Sequence, residues 1–119
     1  MFKILLAGAI TAFGLLSPNA VQAHAVLVES SPAVKAKVSG DKVEFNLHYN
    51  SRIDAKRSRL LLKGPGGEKS LEVRQGKSEA DISASAEGLK PGAYSLNWDV
   101  LSVDGHVSRG KVPFTATER

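Results

Sequence analysis

Beyond an apolar N-terminal stretch, hydrophobic and polar residues alternate with period two. Val43, Phe45, Leu47 and Tyr49 fall on one side of an extended segment, with Glu44, Asn46 and His48 on the other. Tyr94, Leu96, Trp98 and Val100 alternate in the same way with Ser95, Asn97 and Asp99. Val112, Phe114 and Ala116 repeat the pattern near the end, and Val26 and Val28 alternate with Leu27 and Glu29. Successive side chains of a strand point to opposite faces, so this spacing predicts strands with one buried face. Leu60 to Leu62 is a short apolar run, and Leu71 with Val73 marks a further strand.

Turn residues separate these segments. Ser31-Pro32, Ser39-Gly40-Asp41, Gly64-Pro65-Gly66-Gly67, Gln75-Gly76 and Lys90-Pro91-Gly92 are all breaks of the kind that ends a strand. No convincing amphipathic helix interrupts the series. About seven short strands so punctuated predict an all-β chain folded as a β-sandwich. Trp98 shares a face with Leu96 and Val100, so it is expected to be the largest side chain of the core.

The N-terminus changes the domain count. Met1 to Lys3 carries one positive charge, Ile4 to Leu16 is apolar, and Val21-Gln22-Ala23 ends the stretch with small or aliphatic residues at the −3 and −1 positions. That is the layout of a secretory signal peptide over residues 1–23, cut after Ala23. The apolar run is too short for the roughly 20 residues of a membrane-spanning helix. Removing 23 of 119 residues leaves one domain of 96, from His24 to Arg119.

Composition excludes several classes. The chain has no cysteine, so it has neither a disulfide framework nor a thiolate metal site. Its single methionine is Met1, so the processed chain also lacks thioether ligands for Cu(I). The net charge of +4 falls to +3 when Lys3 leaves with the signal. The densest basic cluster, Lys56-Arg57 with Arg59, has no interleaved aromatics and reads as a solvated loop, not a nucleic-acid surface.

Chemistry then centres on His24, which cleavage makes the first residue. Its free α-amine and its imidazole ordinarily titrate near about 7.7–8.0 and 6.5, so both can give up a proton to a metal around neutral pH. Asp104 and His106, in Ser102-Val103-Asp104-Gly105-His106, are two apart and point to one side of an extended segment. Amine and imidazole nitrogens with one carboxylate oxygen form a donor set suited to Cu(II). Either half alone is weak: Asp-Gly is a common turn pair. Together they are stronger, because a first and a late strand can adjoin in a sandwich. His48, on the polar face of its strand, reads as solvent-facing.

These residues resemble the copper-resistance protein C (CopC) family of periplasmic copper binders. The likeness runs through His24-Ala25-Val26-Leu27, Ser30-Ser31-Pro32-Ala33, Leu89 to Trp98, and Ser102-Val103-Asp104-Gly105-His106 with Gly110 and Phe114. It implies an immunoglobulin-like Greek-key sandwich or barrel of about seven strands. It implies one Cu(II) ion held by His24, Asp104 and His106. It also implies a periplasmic location and an inner-membrane partner of the copper-resistance D type, the chain itself keeping no span after cleavage. The Met-rich Cu(I) site of some members is not expected, for want of methionine. Members often carry an acidic residue after the first long strand; here that stretch reads Tyr49-Asn50-Ser51, which removes a carboxylate from the metal's surroundings. A binding protein, not an enzyme, is therefore expected. The competing readings are a copper monooxygenase acting on polysaccharides and a metal-free structural sandwich domain.

Overall fold

The computed structural model describes residues 25–118. These form two sheets. The smaller contains β1 (Leu27–Ser31), β3 (Lys42–Tyr49), β7 (Asp81–Glu87) and β6 (Arg74–Gln75), in the order β1-β3-β7-β6. The larger contains β2 (Ala36–Ser39), β9 (Val107–Thr117), β8 (Gly92–Leu101), β4 (Arg59–Gly64) and β5 (Gly67–Leu71), in the order β2-β9-β8-β4-β5. Only β2 runs parallel to its neighbour, β9; the other pairings are antiparallel. The β-sandwich read from the sequence is the observed architecture. The strand count is higher than about seven because β2 and β6 are short edge strands of four and two residues. Such pieces carry too few positions to show a period.

The alternating segments bury the predicted faces. Val43, Phe45, Leu47 and Tyr49 of β3 are buried, as are Tyr94, Leu96, Trp98 and Val100 of β8 and Val112, Phe114 and Ala116 of β9. Aromatic rings join the two layers. Phe45 meets Phe114 edge-on at 5.6 Å, and Tyr49 meets Trp98 edge-on at 5.2 Å. Such pairs hold the sheets in one relative position, since rings prefer offset or edge-on contact. The Tyr94 hydroxyl donates to the Lys90 carbonyl at 2.6 Å, pinning the Lys90-Pro91-Gly92 corner that leads into β8.

Two sequence expectations shift. Val73 lies between β5 and β6 and not in a strand with Leu71. In β1 the register slips between Leu27 and Glu29, so Leu27 faces Tyr49 and Glu29 faces His48. Leu27 packs inward against the core, so its neighbours Val26 and Val28 point outward and are exposed, at 55% and 60%. Lys56 and Arg57 sit in a short 3-10 turn, Ala55–Arg57, and are exposed as expected of a solvated loop. No helix among the described residues is long and apolar enough to cross a membrane.

Candidate metal centre

Asp104 and His106 lie on the turn that joins β8 to β9. The Ser102 amide donates to the His106 carbonyl at 2.9 Å, and the Gly105 amide to the Ser102 carbonyl at 2.9 Å. Gly105 takes a φ of +97°, a conformation in which a side chain would be strained. The turn is braced from outside. Ile53 bridges Ser102, the Val103 amide donates to the Arg52 carbonyl at 3.1 Å, and the Asp54 amide donates to the Leu101 carbonyl at 2.8 Å. Ser58 adds a further link, accepting the Leu101 amide at 3.1 Å.

Within this frame the two predicted ligands meet. Asp104 Oδ1 lies 3.2 Å from His106 Nδ1 and accepts the His106 backbone amide at 3.3 Å. Those hydrogen bonds, the side-chain one foremost, hold the Asp104 carboxyl below its ordinary value. It is therefore ionised at neutral pH. Both side chains are about half exposed, at 57% for Asp104 and 51% for His106, so a metal ion and water can reach them.

The third predicted ligand, His24, lies outside the described residues, as does the signal segment 1–23. The residue that follows it is fixed. Ala25 is buried and its amide donates to Ser108 Oγ at 3.0 Å. Val26 is tied to Asn50 twice: its amide donates to Asn50 Oδ1 at 2.8 Å, and its carbonyl accepts the Asn50 amide at 3.0 Å. The start of the described chain is thus clasped to β9 two residues beyond His106. Among the described residues no three His, Asp or Glu side chains form a metal-binding group.

The polar residues around this end carry open valences. Ser51, in the stretch where family members often carry an acidic residue, has a buried Oγ without a partner among the described residues, and so does Ser102. Tyr49 and Trp98 likewise bury their hydroxyl and indole N–H unpaired. Burial raises the Tyr49 hydroxyl far above its ordinary value, keeping it neutral.

His48 keeps a partly open side chain, 41% exposed, in line with its solvent-facing reading, but it is also paired. Its Nδ1 lies 2.5 Å from Asp81 Oδ1, directly across the β3–β7 register. Asp81 is 7% exposed and also receives Ser78 Oγ at 2.9 Å and Asn46 Nδ2 at 3.4 Å. Burial opposes the charged carboxylate, but the hydrogen bonds from His48, Ser78 and Asn46 and the His48 charge outweigh it, so its pKa is lowered. Sequence reasoning missed this cluster because Asp81 is 33 residues from His48 and only the strand register joins them.

Residues 27–117 match the family model of the CopC domain. Protein YobA of Escherichia coli is 32% identical over 111 residues, which cover 90% of this chain and 89% of that protein. The crystal structure of CopC from Methylosinus trichosporium OB3b superposes with a TM-score of 0.69 at 27% identity, covering 78% of this chain and 93% of that one. PcoC, a methionine-rich copper resistance protein from Escherichia coli, gives a TM-score of 0.63 at 25% identity, covering 80% and 100% of the two chains.

Proposed function

The chain belongs to the CopC family, and from that premise we propose that its processed form is a periplasmic protein binding one Cu(II) ion through His24, Asp104 and His106. The observation that carries the reading is the pairing of Asp104 with His106 at 3.2 Å on a braced, exposed turn, beside the clasp between Ala25 and Ser108. Cleavage after Ala23 would free the His24 amine there, so the donors would come from two ends of the chain. An ionised carboxylate and imidazole nitrogens fit Cu(II) better than Cu(I).

The proposed role is carriage or buffering, with copper passed to an inner-membrane protein of the copper-resistance D type. Solvent exposure of Asp104 and His106 favours that role, because ligand exchange needs access to the ion. We read the protein as a binding protein, not an enzyme. Reductant-driven oxidation of a polysaccharide by the copper-loaded protein would overturn that part.

The deciding experiment joins N-terminal mass analysis of the exported protein to a Cu(II) titration. A chain beginning at His24 should bind one equivalent. A chain with extra residues before His24 should lose most of its affinity, because an amide replaces the amine. Equal affinity for both chains, or for His106→Ala and wild type, would remove the basis of the proposal.

A further inference from the structure

The two outer faces of the sandwich differ in charge. On the larger sheet the outward positions of β4, β8 and β9 align as rows: Arg59, Asp99 and Arg109 in one, Leu61, Asn97 and Lys111 in the next. Lys63 and Lys37 extend the same face on β4 and β2. These five cations face two carboxylates, Asp99 and Glu68, a net charge of +3. Asp99 accepts from Arg109 at 3.0 Å and Glu68 lies 3.8 Å from Lys63. Arg59, Lys111 and Lys37 form no ion pair among the described residues.

The smaller sheet is the opposite. Its outward strand positions hold Glu29, Glu44, Glu87 and Asp81 against Lys42 and Arg74, a net charge of −2 from those six side chains, with Lys77 at the edge of the same cleft. The basic face also ends in apolar side chains. Beyond the Asp99–Arg109 pair the next outward pair is Leu101 with Val107, and the turn then presents Val103. Val107 is 43% exposed and Val103 is 57% exposed.

We propose that the outer face of the larger sheet, with Val103 and Val107 at its tip, docks on an anionic phospholipid surface. Cations attracted to headgroups and a few aliphatic side chains at the boundary are the two ingredients of peripheral membrane binding. A soluble polyanion would use the basic rows and leave the valines idle. The acidic opposite face turns away from the bilayer and sets the orientation. Docking so would bring the Asp104–His106 turn to the membrane surface; only that consequence for delivery rests on the copper reading. With few charges engaged, binding is weak, reversible and sensitive to salt.

The test is cosedimentation of the processed chain, beginning at His24, with vesicles. This chain retains every residue of the described fold and lacks the apolar leader, which would bind lipid by itself. The chain should sediment with phosphatidylglycerol–phosphatidylcholine vesicles at low ionic strength, stay in solution with phosphatidylcholine alone, and be released by salt. Arg59→Glu with Lys111→Glu should lower the bound fraction roughly tenfold or more. Lys42→Glu with Arg74→Glu makes the same change in net charge on the other face and should leave most binding intact. Val103→Asp should weaken it. All five positions are exposed, and circular dichroism checks that each variant is folded. No binding to anionic vesicles would overturn the proposal, and so would equal losses from the two double variants. Equally tight binding to polyglutamate, indifferent to Val103, would assign the face to an acidic protein and not to lipid. A parallel Cu(II) titration of the double variants reports on the metal site separately.

Discussion

Asp81 shows how one side chain ties the smaller sheet to pH. Its carboxylate takes hydrogen bonds from His48, Ser78 and Asn46, which outweigh burial and lower its pKa. A carboxyl whose folded value is depressed adds stability above its unfolded value, near about 3.9, and loses it as pH falls through the folded value. Urea midpoints of the wild type should therefore drop more steeply below pH 4 than those of Asp81→Asn. At neutral pH that variant should be less stable by about 1–2 kcal/mol, the worth of hydrogen bonds to a charged group discounted for the partly open His48 side. Parallel pH profiles for the two proteins would refute the assignment. Glu29 and Lys77 line the same cleft and are kept in both. Residue types and local spacing made the meeting of Asp104 and His106 legible in the sequence, although the segment expected to be extended there is a turn. His48 with Asp81 was not legible, since their contact depends on a register that no local pattern reveals.

At the scale of elements, the β8–β9 hairpin carries both the core and the turn with the predicted ligands. Trp98 lies across from Gly110, and a Cβ on Gly110 would collide with the indole ring. That ring is also in edge-on contact with Tyr49 at 5.2 Å. Gly110→Ala should cost about 1–3 kcal/mol in urea unfolding, as overpacking of a filled core does. It should also disturb the near-ultraviolet signal of Trp98, the only tryptophan. Unchanged stability would mean that the hairpin relaxes freely there. Strands β3, β8 and β9 were readable because each repeats a period-two pattern with large apolar side chains; β7 was not, because two of its three inward apolar side chains are alanines, Ala84 and Ala86. The face of β1 was not, since Val26 and Val28 look like the buried pair, whereas Leu27 packs inward and the slip after it keeps Glu29 outward. Nor were β2 and β6, which are placed by neighbouring strands more than by their own sequence.

For the whole molecule, the absence of cysteine leaves the fold to its core and to the closures between distant segments. One such closure bears on the proposed metal site. Ala25 reaches Ser108 across 83 residues, next to the Asp104–His106 turn. A Cu(II) ion bound by His24, Asp104 and His106 would link the same two ends, and unfolding would separate those ligands. A ligand bound by the folded form alone stabilises it by about 2.7 kcal/mol at a free concentration one hundred times its dissociation constant. For a domain of this size each kcal/mol moves the melting temperature by roughly 4–8 °C. Residual Cu(II) affinity of a free N-terminal histidine in the unfolded chain subtracts from that gain. Saturating Cu(II) should therefore raise the melting temperature of the processed chain by several degrees. His106→Ala, which keeps the free N-terminus but breaks the link, should lose most of the rise. An equal rise in both proteins would show that copper is held by the N-terminal residue alone, with the β8–β9 turn uninvolved.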